Sequence, residues 1–196
     1  MTLHAWRRRS VRLSGYDYSQ PGFYYITICT KAREFLFGCV DGGVMRENDY
    51  GNVVRCIWRV LPKRFPNILL DEFIVMPNHI HGIIAVHDLN TFDNVGAIHN
   101  VGAIHELPLR YGNNEQRESY RLQRRNMLLP KIVGFFKMNT AKRINAMHQT
   151  CGLPIWQRNY HEHVIRNEHE SCRIRAYIRN NPSEWSNDRN NSQVAS

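Results

Sequence analysis

The chain has few acidic residues and no C-x-x-C motif, and both features narrow the classes of protein to which it could belong. It has 17 Asp and Glu against 26 Lys and Arg, which gives a formal net charge of +9. Such a balance favours a polyanionic partner, nucleic acid before others. The five cysteines include no C-x-x-C pair, which argues against a disulfide framework or a cysteine-zinc site. We therefore expect reduced thiols and a cytoplasmic protein.

Long apolar runs are also missing. No apolar stretch approaches the roughly 20 residues that cross a bilayer, so we expect no membrane partner. The basic segment at residues 7–9 is followed by no apolar region of the signal-peptide kind, so we expect no signal peptide either. At 196 residues, the chain has the length of one domain with a sizeable core.

Apolar patterns predict strands and helices that alternate within one domain over residues 1–185. The predicted strands cover residues 23–30, 35–40, 68–76 and 79–86, with a short edge strand at 155–157. The predicted helices cover residues 50–61, 121–149, 158–166 and 168–180. Asn167, with Glu170 three residues on, is the predicted cap of the last helix. Its predicted buried stripe is Ile174, Tyr177 and Ile178. Residues 186–196 are polar, and we expect a disordered tail there.

Residues 94–99 are repeated in tandem as residues 100–105, and each copy reads Asn-Val-Gly-Ala-Ile-His. A six-residue copy is too short for a solenoid repeat, and insertions into surface loops cost little. We therefore interpret residues 88–119 as an inserted surface loop. His99 and His105 are then copies of one residue and not metal ligands.

Two histidines stand at alternate positions of the predicted strand at residues 79–86. Because strand side chains alternate in direction, His79 and His81 share a face, about 6–7 Å apart. Such a pair can share a divalent metal if a third ligand comes from elsewhere. Gly82 would let a ligand or another backbone approach closely. A lone His-x-His is common without metal, so the hypothesis needs further support.

Residues 156–166 carry a second group of reactive side chains. On a helix, Tyr160 and His163 share a face because they are three residues apart. A tyrosine hydroxyl is a poor nucleophile at its ordinary pKa, but a nearby metal or base can assist it. The alternative is that Tyr160 is a half-buried aromatic and His163 a surface residue.

Basic residues cluster near the N-terminus, beside aromatic residues, and again around the predicted helix at 121–149. The first arrangement suits phosphate contacts with base stacking, and the second suits a surface that follows a nucleic-acid backbone. In both cases the alternative is a solvated charged face. The predicted DNA contacts are Arg7, Arg8, Arg9, Arg12, Arg121, Arg124, Arg125, Lys137, Lys142, Arg143 and Arg158.

These motifs together resemble a known family. The Pro-Asn-His-Ile-His-Gly segment at residues 77–82 is similar to the HUH motif (His, hydrophobic residue, His) of single-tyrosine transposases. The similarity is stronger to their REP-associated tyrosine transposase branch. It extends over residues 7–185 except the loop, and its motifs lie at residues 12–18, 22–30, 132–137, 156–166 and 177–182.

The resemblance implies an α+β, ferredoxin-like fold with a central antiparallel sheet flanked by helices. It implies that His79 and His81, with a third polar ligand, bind Mg²⁺ or Mn²⁺. Tyr160 would attack single-stranded DNA and leave a 5′-phosphotyrosine link and a free 3′-hydroxyl. The implied partners are DNA hairpins of REP-like palindromes, and relatives include both monomers and homodimers.

The third ligand departs from the pattern of the wider superfamily. Relatives there often place Gln or Asn four residues after the tyrosine, but Val164 occupies that position here and cannot bind metal. His163 is our prediction for the third ligand, with Glu162 and His161 behind it.

Three functions fit the sequence. The leading hypothesis is a metal-dependent single-stranded DNA endonuclease and strand transferase of the transposase type. The second is a domesticated protein that binds DNA hairpins without cutting them. The third is a hydrolase in which metal-bound water attacks in place of tyrosine.

Overall fold

A computed structural model of the protein describes residues 16–88 and 127–191. The strands are β1 (Gly22–Cys29), β2 (Gly38–Asp41), β3 (Val44–Glu47), β4 (Ile68–Met76), β5 (His79–Val86) and β6 (His161–Ile165). The helices are α1 (Asp49–Arg59), α2 (Leu61–Arg64), α3 (Leu128–Met147) and α4 (Glu168–Asn180). Short 3₁₀ turns cover Lys31–Arg33 and Trp185–Asn187. None of the helices in these two ranges is long and apolar enough to cross a membrane.

The central sheet has four antiparallel strands in the order β4-β5-β1-β6. The chain visits them as β1-α1-β4-β5-α3-β6, with the β2–β3 hairpin inserted before α1. This is the βαββαβ connectivity of a ferredoxin-like α+β fold, so the predicted fold class is confirmed.

One face of the sheet carries the main core. Tyr24, Ile26 and Ile28 of β1 pack there, and α1 and α3 contribute Trp58 and Phe136. Each of these side chains is nearly or wholly buried. The even-numbered residues of β1 therefore define the core face, and the odd-numbered residues of β1 lie on the other.

The second face is covered by α4. Tyr25, Ile83 and Ile165 from three adjacent strands form a smaller apolar cluster with Ile178, and Ile174 packs against it. In the sheet register, Thr27 lies opposite His81 and Cys29 opposite His79. Since paired residues share a face, the histidine pair lies on the α4 side of the sheet.

Helix α4 is fixed at its start and along its length. Asn167 caps it, because its Oδ1 accepts a hydrogen bond from the Glu170 amide at 2.8 Å. Arg175 pairs with Asp71 at 2.7 Å, beside a bulge in β4. The predicted helix at 168–180 is confirmed with its cap.

Two local predictions are wrong. Residues 158–166 contain strand β6 and no helix, because the segment pairs with β1 and places Val164 opposite Tyr24 in the core. Residues 186–191 are ordered, although they are polar. Their buried side chains bond to one another and to backbone, as when Asp188 accepts from the Asn190 amide at 2.6 Å. Most of the predicted loop, from residue 89, lies outside the described residues.

Gly82 permits the close approach of a side chain from the core. The Trp58 indole lies over it, and a Cβ at this position would stand 2.6 Å from two indole carbons. Trp58 is itself stacked on Phe73, with ring centroids 4.4 Å apart. The indole fills the space that the sequence assigned to a ligand or another backbone.

Gly82→Ala should therefore destabilise the fold by about 1–3 kcal/mol, because overpacking forces the stacked rings to shift. Gly134→Ala is the matched control, since a Cβ there meets nothing within 4 Å. Gly134 is an exposed position inside helix α3, so the change should stabilise the fold by about 0.5–1 kcal/mol. Urea unfolding measures both, and equal effects of the two changes would contradict the packing described here.

Candidate active site

His79 and His81 lie at the start of β5, and both are 0% exposed. Their Nε2 atoms are 3.0 Å apart, and their ring centroids are 4.5 Å apart. The rings thus lean together more closely than the strand spacing alone requires. The two nitrogens face one another, as the ligands of one shared ion or proton do.

A hydrogen-bond network fixes the orientation of His79. Its Nδ1 lies 2.8 Å from Asn78 Oδ1. The Asn78 amide nitrogen donates to the carbonyls of Arg33 and Asn190, so its oxygen is the atom that faces the imidazole. Because an amide oxygen only accepts, the hydrogen of neutral His79 sits on Nδ1 and the Nε2 lone pair points inward.

Two hydroxyls hold His81. Its Nδ1 lies 2.8 Å from the Tyr25 hydroxyl and 2.9 Å from Thr27 Oγ1. The Thr27 hydroxyl also donates to Tyr25. Partners of this kind behind a ligand set the ring orientation in metal sites. His81 Nε2 is thereby aimed at His79.

Burial keeps both imidazoles uncharged. It lowers the pKa of His79 and of His81, and the nearby His79, Arg189 and His161 lower the pKa of His81 as well. Neutral imidazole is the form that binds metal. The pair is therefore ready to accept a cation at neutral pH.

Asp188 joins the pair from the segment after α4. One ligand atom from each of His79, His81 and Asp188 lies within 4.8 Å of the others. The Asn181 amide nitrogen donates to Asp188 Oδ2 at 2.7 Å and holds the carboxylate in place. These three residues form a possible metal site. Neither Asp188 nor Asn181 was among the predicted ligands.

Asn181 supplies a second indication that the site fits a cation. Its Oδ1 is buried and accepts no hydrogen bond from residues 16–88 or 127–191. The side chain is close enough to act on the pKa of both His79 and Tyr177. A buried amide oxygen without a donor is destabilising unless a cation or donor binds it. A divalent ion beside the histidines would provide that partner.

Tyr177 of α4 is the tyrosine next to these residues. Its ring centroid is 5.3 Å from that of His81, and its hydroxyl donates to Asp188 Oδ2 at 3.5 Å. Burial of part of the ring and the nearby Asp188 raise the pKa of the hydroxyl. The side chain is still 42% exposed. The sequence indicated a buried residue here, but the ring borders both the site and solvent.

Tyr160 and His163 lie elsewhere. Tyr160 precedes β6 and packs against the main core, which α1 and α3 cover. His163 lies opposite Tyr25 and therefore on the α4 face, so Tyr160 and His163 do not share a face. His163 Nε2 lies 2.8 Å from Glu170 Oε1, in a hydrogen bond at the start of α4. His161 is in register with Thr27 and hence closer to His81.

The spacing of Tyr177 and Asn181 is a pattern that the sequence prediction did not use. Relatives in the superfamily that the sequence resembles often place Gln or Asn four residues after the tyrosine. Measured from Tyr160, that position is Val164, but measured from Tyr177 it is Asn181. On a helix, residues four apart share a face, so both side chains reach the same site.

The predicted DNA contacts are only partly described. Lys142, Arg143 and Arg158 are exposed, and Lys137 donates to the backbone carbonyls of residues 157 and 158. Helix α3 packs on the sheet face opposite the histidines. The remaining seven predicted contacts lie outside the described residues, namely Arg7, Arg8, Arg9, Arg12, Arg121, Arg124 and Arg125.

Two solved structures have similar folds. One is a REP-associated tyrosine transposase bound to a REP hairpin, with 14% identity and a TM-score of 0.49 over 89% of this chain and 73% of that chain. The other is a Deinococcus radiodurans protein named as a candidate transposase, with 16% identity and a TM-score of 0.43 over 85% of this chain and 94% of that chain.

No protein-family model matches the sequence. A protein of Haemophilus influenzae, described as uncharacterized, is 37% identical over 181 residues, which cover 92% of this chain and 91% of that protein. At this identity over almost the whole length, the chain belongs to the same family as the Haemophilus influenzae protein.

Proposed function

We propose that the protein is a metal-dependent single-stranded DNA endonuclease and strand transferase, with Tyr177 as its nucleophile. The observation that carries the proposal is the position of Tyr177, with its ring 5.3 Å from His81 and its hydroxyl directed at Asp188. The HUH resemblance of the strand and the net charge of +9 support DNA as the substrate.

The donors that would hold the cation are His79, His81, Asp188 and the Oδ1 of Asn181. Imidazole favours later transition metals, and carboxylate and amide oxygens favour Mg²⁺ or Mn²⁺. The mixed set therefore suits Mn²⁺ better than Mg²⁺. A bound divalent ion would polarise the scissile phosphate and stabilise the charge that develops on its oxygens.

The chain's own residues account for the proton transfer. The Tyr177 hydroxyl donates to Asp188 Oδ2, which orients it and can take its proton as the oxygen attacks phosphorus. A bond forms between Tyr177 Oη and the 5′-phosphate, and the bond from phosphorus to the 3′-oxygen breaks. The leaving 3′-oxygen takes a proton from solvent. Attack by a 3′-hydroxyl on the phosphotyrosine reverses the step and rejoins the strand.

The substrate we propose is the single-stranded hairpin of a repetitive palindrome, as the sequence resemblance implies. The residues that we place at the site come from three elements of one chain: the histidines from β5, Tyr177 from α4, and Asp188 from the segment that follows. The proposal needs no residue from a second copy, so it fits both a monomer and a homodimer.

One observation favours a second function. Both histidines are fully buried, and the segment at residues 185–191 lies over them. A hairpin-binding protein that no longer cuts has no need of an open metal site. That alternative gives metal-independent binding of hairpins and no covalent product.

Tyr177→Phe should reduce covalent protein–DNA product by at least about 1,000-fold, because it removes the attacking oxygen. Tyr160→Phe is the matched change, since it removes a hydroxyl from the other face of the sheet, and should leave the product within a few-fold. The assay incubates labelled hairpin DNA with protein and Mn²⁺ and counts label at the protein's mass on a denaturing gel.

If Tyr160→Phe lost the covalent product and Tyr177→Phe kept it, Tyr160 would be the nucleophile. Cleaved DNA without a covalent band would favour attack by water. Binding with no cleavage across several hairpins and metals would favour the non-catalytic protein.

Mn²⁺ at about 100 times its dissociation constant should stabilise the fold by about 2.7 kcal/mol, which is a rise in Tm of several degrees. Asn181→Ala should remove most of that rise, whereas Asn180→Ala, an exposed neighbour of the same type, should keep it. Because burial lowers the pKa of His79 and His81, their neutral form persists on acidification. The rise should therefore survive at pH 6, and thermal melts that lose it there would contradict the site.

A further inference from the structure

We propose that Phe35 and Trp185 form a stacking site for an unpaired DNA base at the edge of the metal site. The inference rests on the proposed function, because it identifies where the nucleotide next to the scissile phosphate is held. The occupant is a nucleobase of single-stranded DNA.

The two rings adjoin one another and the histidines. Their centroids are 5.6 Å apart, and the Trp185 ring is 5.9 Å from that of His79. Phe35 is 36% exposed although it is a large apolar side chain, and Trp185 is partly exposed. A base that rests on this pair would place its own phosphate near the ligand atoms.

The segment that contains Phe35 is hydrogen-bonded to the turn before β5. The Phe37 amide donates to the Pro77 carbonyl at 3.0 Å, and Thr30 Oγ1 donates to the Asn78 carbonyl at 3.0 Å. Asn78 in turn donates to the Arg33 carbonyl. The aromatic ring and the histidine pair are therefore held by one set of hydrogen bonds, which fixes the distance between them.

The backbone of this segment is strained. Ala32 and Arg33 have φ values of 53° and 58°, a left-handed conformation that residues other than glycine seldom adopt. Strain of this kind persists where surrounding contacts enforce it, and it clusters at binding and catalytic sites. Here it lies two and three residues before Phe35 and beside the proposed metal ligands.

Positive charge adjoins the aromatic pair. Arg33 Nη1 donates to the Arg189 carbonyl and to Asn190 Oδ1, and Arg189 is exposed. Both guanidinium groups act on the pKa of His79, so both lie close to the site. An aromatic surface flanked by cations is the combination that binds single-stranded nucleic acid, with stacking on the rings and phosphate contacts beside them.

The test uses the full chain in a Tyr177→Phe background, so that binding is measured without cleavage. The probe is a labelled 15-nucleotide single-stranded oligothymidylate, followed by fluorescence anisotropy. Phe35→Ala and Trp185→Ala should each weaken binding by about tenfold, within the range of one lost stacking contact. Leu153→Ala, which shortens another exposed apolar side chain, should bind as the parent does. Phe35→Tyr keeps the ring and should also bind as the parent does, which separates stacking from damage to the fold.

A second set of oligonucleotides carries one abasic position, moved along the strand. With the parent protein, an abasic residue at one position should weaken binding by about tenfold. Phe35→Ala should bind the abasic and the intact strands equally, because it has already lost the ring on which that base stacks. The proposal would be overturned if the abasic position weakened binding equally in the parent and in Phe35→Ala. It would also be overturned if Phe35→Ala and Trp185→Ala bound as tightly as Leu153→Ala, or if the parent did not bind the oligonucleotide.

These readouts do not depend on catalysis. If Tyr177 forms no covalent product but the stacking results hold, the proposed chemistry fails and the base site remains. If the covalent product forms while both aromatic changes leave binding unaltered, the base site fails and the chemistry remains.

Discussion

Two imidazole nitrogens held 3.0 Å apart in a fully buried position are the constraint on which the rest of the site depends. At that distance a proton or a cation must lie between the two nitrogens. The surrounding groups, an amide behind His79 and two hydroxyls behind His81, hold the rings in this orientation. Because burial keeps both imidazoles neutral, a cation can bind between them.

The packing that stabilises the fold and the proposed site lie largely on opposite faces of the sheet. One face is an apolar core with α1 and α3. The other face has a small apolar cluster under the middle of α4 and a polar site near its end. Helix α4 serves both, because Ile174 and Ile178 pack on the strands while Tyr177 and Asn181, four residues apart, face the histidines. A change in the packing of α4 would therefore move the proposed nucleophile relative to the proposed metal ligands.

Local patterns made much of this fold predictable. The β-branched and aromatic runs indicated β1, β4 and β5, alternation placed His79 and His81 on one face, and the cap and apolar stripe indicated α4. The wrong predictions fall where contacts distant in sequence determine the secondary structure or the burial of a residue. Residues 161–165 suit a helix locally but become a strand because β1 offers a free edge. The sequence predicts a polar tail around Asp188, since nothing local shows that its hydrogen bonds permit burial. It predicts a buried Tyr177, because helical spacing alone cannot distinguish a buried stripe from its border.

The position of the long connection between β5 and α3 has a consequence for how this family can vary. The histidines stand at the first residues of β5, and the connection leaves from its other end, after Val86. Seven residue steps along a strand separate the two ends by about 23 Å. The tandem copy at residues 94–105 therefore lengthens a connection that leaves β5 at the end opposite the histidines. A change in its length leaves the register that places His79 and His81 opposite β1 unaltered.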